Sequence, residues 1–284
     1  MKYPRIFSDI DINNENFPPD MADLVLESDG SRCFGVIYKP RGQGPHPTIL
    51  LLHGFPGSER NFDLAQMFRR AGFNVIVFHY RGSWGSEGDF SFQNVLDDTE
   101  RMIEMLLSDE CARDLRIQKD SIILMGHSMG GFSALMNGSK NSSIKYVISI
   151  AGYNLGVVAK ELSRDRDHYM KTKQMFEECI VPLKGTGVNV LFDEINGRKE
   201  DWDLNNLSFS GKDRNVLLIA GSRDTVSEPE LHHDPLYCKL SSNAHDPLNV
   251  QQVILDATHS FHSKRVSLAE VILDWLSKRD LVPE

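Results

Sequence analysis

The chain has 284 residues, 40% hydrophobic and 25% charged, which suits one large globular domain or two small ones with a buried core. Its net charge of -9 argues against nucleic-acid and anionic-membrane partners, because both surfaces would repel it. No apolar run approaches the roughly 18 residues of a membrane span, and residues 1–9 lack the apolar stretch of a signal peptide, so the expected location is cytoplasmic.

Residues 1–20 are polar, end in Phe17-Pro18-Pro19-Asp20 and read as an irregular arm. Two alternating runs, 22–27 and 33–38, flank Ser28-Asp29-Gly30-Ser31, and an Asp-Gly between such runs predicts a hairpin. Residues 39–47 hold three prolines and two glycines and predict a loop. The periodicity then changes. Thr48-Ile49-Leu50-Leu51-Leu52 and Val75-Ile76-Val77-Phe78 are continuous apolar runs, as in strands covered on both faces, and a helical pattern of Phe62, Leu64, Ala65 and Phe68 lies between them. Ser91 is placed to cap a longer helix whose apolar face is Val95, Thr99, Met102, Ile103 and Leu106. Strands follow at 121–125 and 147–151, with a helix from about Gly131 between them. Such alternation implies right-handed crossovers and a mostly parallel sheet.

From about 153 to 209 the alternation stops. The stretch is charged and amphipathic, with Val157, Val158, Leu162, Tyr169, Met170, Met175, Phe176 and Ile180, and predicts a helical insertion lying as a cap over the carboxyl edge of the sheet. A strand at 215–220, a helix at 230–240, a last strand at 250–255 and a closing helix with Leu268, Ala269, Ile272, Trp275 and Leu276 complete one domain over 1–284. Cys33, Cys111, Cys179 and Cys238 form no Cys-x-x-Cys pair and are expected to be reduced thiols.

The chemistry-bearing residues fall at strand ends. Gly126-His127-Ser128-Met129-Gly130 sits between a strand and a helix, the setting in which a sharp turn presents a serine hydroxyl at the carboxyl edge of a sheet. Chance supplies the bare pattern in roughly one chain of this length in ten, so the remaining strand ends decide. A serine needs a base to take its proton, and the base needs a carboxylate to orient it. Asp224 follows one later strand and His259 the last, in the order Ser, Asp, His. Asp213 precedes its strand, Asp256 is too near His259 along the chain, and Glu228 and Asp234 are weaker acids for the role; His53, His127, His245 and His262 are the other bases, with His127 expected to point away from Ser128. His53-Gly54-Phe55-Pro56-Gly57 ends the first parallel strand, where the N–H groups of Phe55 and Met129 could hold an oxyanion. The glycine-rich turn 80–88 lacks the lysine of a phosphate-binding loop and is expected to border the site, with Trp84 as an apolar wall and Tyr153 as a second substrate contact. His232-His233-Asp234 reads as a solvated helix rather than a metal site, since adjacent histidines do not share a helix face, and no metal is expected.

Together His53-Gly54-Phe55-Pro56-Gly57, Tyr80-Arg81-Gly82-Ser83, Gly126-His127-Ser128-Met129-Gly130, Gly221-Ser222-Arg223-Asp224 and Thr258-His259-Ser260-Phe261 resemble the α/β-hydrolase fold superfamily. The likeness is greatest to its serine esterases and small prolyl-oligopeptidase-like or dienelactone-hydrolase-like branch, and runs from about 22 to 278. It implies an eight-stranded, mostly parallel sheet flanked by helices, a helical cap, and acyl transfer without a cofactor. It also implies roles for Ser128 as nucleophile, Asp224 as acid, His259 as base, and Phe55 and Met129 as oxyanion donors. The expected activity is hydrolysis of a small-molecule carboxylic ester. An acyltransferase, a small peptidase or amidase, and a non-catalytic binding module on the same scaffold are the alternatives.

Overall fold

The structure, a computed structural model, describes residues 3–9, 16–209, 211 and 213–283. Its strands are β1 (Asp20–Ser28), β2 (Ser31–Lys39), β3 (His46–Leu52), β4 (Asn74–Phe78), β5 (Ile117–His127), β6 (Tyr146–Ile150), β7 (Asn215–Gly221) and β8 (Val250–Leu255). They form one sheet in the order β1-β2-β4-β3-β5-β6-β7-β8. β2 is antiparallel to both β1 and β4, and every other neighbouring pair is parallel. The β1–β2 hairpin turns at Asp29 and Gly30, both with positive φ, as the Asp-Gly pair predicts.

Helices are α1 (Phe62–Arg70), α2 (Phe92–Leu107), α3 (Asp109–Asp114), α4 (Met129–Lys140), α5 (Leu155–Arg164), α6 (Arg166–Cys179), α7 (Val188–Gly197), α8 (Pro229–His232), α9 (Asp234–Asn243) and α10 (Arg265–Ser277). They cover the sheet on two faces, and the strand sequences show why. Successive strand side chains point to opposite faces. Leu50, Leu52 and Leu124 therefore join Val95, Met102 and Phe132 in one core, while Ile49, Leu51 and Ile123 join Leu64, Phe68 and Ile272 in the other. Each fully buried Leu, Ile or Phe contributes roughly 1.5–3 kcal/mol, which is why the central strands are apolar without alternation. The Ser91 hydroxyl accepts the Asn94 N–H at 3.0 Å and so starts α2, whose predicted apolar face is buried throughout.

Some expectations need correction. The arm over 1–20 lies partly outside the described residues, at 1–2 and 10–15; within them, Pro4–Phe7 forms a 3₁₀ turn that buries Ile6, and β1 already begins at Asp20. The loop after β2 is shorter than expected, because β3 starts at His46. The helix expected over 230–240 is broken into α8 and α9. Pro235 stands in the first turn of α9, where its missing N–H costs least. α3 carries no apolar stripe long enough to be legible.

Between β6 and β7 run α5, α6, α7 and a 3₁₀ turn at Leu204–Asn206. One buried asparagine fastens this segment: Asn154 Oδ1 accepts the N–H groups of Val157 and Leu204, and its amide donates to Asp203 at 3.1 Å. Lys160 closes the cluster on Asp203 at 2.8 Å. Among the described residues, no helix is long and apolar enough to cross a membrane.

Candidate active site

Ser128 links β5 to α4 at φ 57° and ψ −119°, a strained conformation for a residue with a side chain. Its surroundings over-determine it. The Ser128 N–H donates to the Ile150 carbonyl at 2.9 Å, and its carbonyl accepts the N–H groups of Phe132 and Tyr153 at 3.0 and 3.2 Å. A Cβ on Gly126 would overlap the Gly130 carbonyl, and one on Gly130 would overlap the Leu52 carbonyl, so the turn closes only with glycine at both places. The Gly-x-Ser-x-Gly spacing is thus a packing requirement of the turn that presents the hydroxyl.

Asp224 and His259 meet beyond the ends of β7 and β8. The His259 Nδ1–H donates to Asp224 Oδ2 at 2.8 Å, and Asp224 Oδ1 accepts the N–H groups of Val226 and Ser227 at 2.8 and 2.9 Å. Burial pushes the Asp224 carboxyl up, but the hydrogen bond and charge of His259, with the two amides, outweigh it and hold the group below the ordinary aspartate range. With its proton fixed on Nδ1, a neutral His259 keeps an unprotonated Nε2. Two of the competing acids are engaged elsewhere: Asp256 pairs with Arg223 at 2.6 Å and Asp213 with Lys145 at 3.8 Å, both at the surface. His245 and His262 are exposed.

Ser128 and His259 open into a cavity of about 240 Å³. Phe55, Met129 and Tyr153 also line it, with Phe92, Leu155 and Val226 and with Met175, Phe176 and Cys179 of α6. Phe55 stacks on Phe176, with centroids 4.8 Å apart and rings 28° from parallel. Among the described residues, the N–H groups of Phe55 and Met129 donate to no other protein group. That of Met129 lies in the first turn of α4, where a helix has no internal acceptor to offer.

Trp84 does not wall this cavity. Its indole N–H donates to the Pro56 carbonyl at 2.7 Å and its ring lies under the Arg60 guanidinium, 4.7 Å away, which leaves it braced against the turn behind Phe55 and 36% exposed. A larger cavity of about 450 Å³, between α5, α6 and α7, contains none of Ser128, Asp224 or His259.

The family model for the alpha/beta hydrolase fold matches residues 47–264. The chain belongs to this family. An uncharacterized 31.7 kDa protein of Escherichia coli, from the traX-finO intergenic region, is 26% identical over 226 residues, covering 67% of this chain and 77% of that one. The 2,6-dihydropseudooxynicotine hydrolase of Paenarthrobacter nicotinovorans is 25% identical over 139 residues, covering 48% of this chain and 36% of that enzyme. Among solved structures, an esterase of Pyrococcus furiosus superposes with a TM-score of 0.64 over 92% of this chain and 91% of its own, at 17% identity.

On this hydrolase scaffold, four residues differ from or go beyond the sequence reading. His127, which does not line the cavity of Ser128, is turned to the loop that carries His259. Its Nε2–H donates to the His259 carbonyl at 2.8 Å, the two rings lie 4.8 Å apart, and burial followed by the neighbouring His259 pulls its pKa down to about 3. His232 and His233 are buried rather than solvated. His232 Nδ1 accepts the Asn154 N–H at 3.0 Å while its ring stacks on Tyr153, and His233 contacts Gln252. Asp98 sits on the buried face of α2, where Ser28 and Arg81 bond its carboxylate at 2.6 Å each. A carboxylate one residue from Thr99 on an otherwise apolar helix face was the available signal.

Proposed function

We propose that this protein is a serine hydrolase that cleaves carboxylic esters through an acyl-enzyme on Ser128. The observation that carries the reading is the 2.8 Å bond from His259 to buried Asp224, with Ser128 raised on its strained turn into the same cavity as His259. His259 Nε2 takes the Ser128 proton as Oγ bonds to the carbonyl carbon, and the carbonyl electrons move onto oxygen. The N–H groups of Phe55 and Met129 hold that oxyanion; each such donor is worth on the order of 100-fold in rate. Collapse breaks the bond to the alkoxy oxygen, which leaves with the proton from His259. Water, deprotonated by the same nitrogen, then attacks the acyl carbon, and Ser128 departs with its proton restored.

The esterase among the structural neighbours supports this reading, and so does the apolar lining of the cavity, which suits an acyl group. In the same reading the chain is one domain, 153–209 is its cap, and Tyr153 contacts substrate. At about 240 Å³ the cavity exceeds the roughly 150 Å³ that holds a benzene ring, so acyl groups of about six carbons fit. The test is turnover of p-nitrophenyl esters from acetate to decanoate by the wild type and by Ser128→Ala. The expected result is a maximum at medium chains, and loss of turnover and of fluorophosphonate labelling in the variant. Equal turnover by the variant would refute it.

A further inference from the structure

A second cavity, of about 260 Å³, shares Tyr153, Met175 and Val226 with the first but differs in character. Its other walls are polar: His168, Lys171 and Thr172 from α6, Thr225 and Glu228 from the turn after Asp224, and His232 from α8. His232 is 3% exposed and serves no step above. Burial holds it neutral, pulled down to about 3, and its Nδ1 is occupied as acceptor of the Asn154 N–H, so the proton stays on Nε2. Among the described residues, neither Lys171 nor Glu228 forms an ion pair.

We propose that this second cavity is the leaving-group subsite, and that it selects esters whose alcohol half is a small, neutral polyol. The proposal rests on the ester-hydrolase reading of Ser128. The leaving oxygen must take its proton from His259, so the alcohol half lies on the imidazole side of the carbonyl. The second cavity is on that side, because Thr225, Val226 and Glu228 belong to the turn that carries Asp224. The aromatic cavity on the Phe55 side is left for the acyl half. Among its lining residues His232 Nε2 and Lys171 can donate, Glu228 can accept, and the hydroxyls of Thr172 and Thr225 can do either. One cation and one anion on the wall give no preference for a charged group, whereas several neighbouring hydroxyls meet a partner each.

The experiment compares 1-hexanoylglycerol with 2-methylbutyl hexanoate, which has the same shape with methyls in place of both hydroxyls. Acid release gives kcat/KM for each ester in the wild type, Lys171→Met, Thr172→Val and His232→Phe, with circular dichroism to verify folding. The wild type is expected to prefer the glyceryl ester at least tenfold, and each variant to reduce that ratio roughly two- to tenfold, the worth of one hydrogen bond. A ratio near one in the wild type would overturn the proposal. So would ratios unchanged in Lys171→Met and Thr172→Val, which do not disturb the buried Asn154 amide, or a preference for the 3-phosphorylated glyceryl ester. Ser128→Ala separates the two failures. If it hydrolyses both esters, the reading of the site itself is wrong; if it is inactive while the wild-type ratio is one, only the subsite is wrong.

Discussion

Mild acid should destabilise this fold through its buried histidines before its carboxylates respond. His53, His127 and His232 are each pulled down to about 3, burial being the largest cause in every case. In the unfolded chain they titrate near the ordinary value of about 6.5. Between those values the unfolded chain binds protons that the native state refuses, so stability rises with pH there. The contribution is fully present above about 6.5 and is lost as pH falls toward 3. Going from pH 7 to pH 5, linkage gives roughly 2 kcal/mol per histidine, or about 6 kcal/mol for the three. That is comparable to the whole stability of many domains, roughly 5–15 kcal/mol. His79, held at about 4, acts in the same direction. Because carboxylates in an unfolded chain titrate near pH 4, this window reports imidazoles. Urea unfolding at pH 7, 6 and 5, followed by tryptophan fluorescence, should show the midpoint falling steadily with unchanged slope. A midpoint constant across that range would show that these rings are not held neutral.

Two substitutions probe the packing behind the site. Asp98→Ala leaves Arg81, whose side chain is 7% exposed, without its main partner, and the urea-derived stability should fall by about 3–5 kcal/mol, the cost of an uncompensated buried charge. A loss under about 1 kcal/mol would mean that Asp29 and Asp97, 3.0 and 3.8 Å from Arg81, suffice without it. Phe176→Ala removes the ring stacked on Phe55 and should cost about 3–5 kcal/mol while shifting the preferred p-nitrophenyl ester to longer acyl chains. An unchanged chain-length profile would place the acyl group outside this cavity.

Much of the fold was legible because it is written locally. Continuous apolar runs marked strands covered on both faces, and Ser91 and the 95–106 spacing marked α2. The pairing of Asp224 with His259 was legible too, since each follows a strand that β-sheet order brings to one edge. What the sequence hid are partnerships without a local signature. Trp84 was placed near the site by its glycine-rich turn, but its ring direction depends on Pro56 and Arg60, residues of another loop. The second cavity was hidden because Lys171 and His232 lie about sixty residues apart on helices that periodicity describes only singly. His232 read as solvated because its burial comes from Tyr153 and Asn154, not from its own helix.

The histidines gathered at the sheet edge show what separates a base from a structural ring. The Nδ1–H of His53 donates to the Gly54 carbonyl at 2.8 Å, His127 donates to the His259 carbonyl, and His232 accepts a backbone N–H. Each is thereby tied to the main chain and, being buried, resists protonation. A neutral partner gives an imidazolium little to lean on, so none of the three can gain a proton cheaply during a reaction. His259 is the ring that faces a carboxylate, and Asp224, held ionised, stabilises the cation that forms when Ser128 gives up its proton. Position along the chain singled out His259 only because it follows the last strand. The physical criterion is the partner, and by that criterion His127, the nearest histidine to Ser128 in sequence, holds the base in place instead of serving as one.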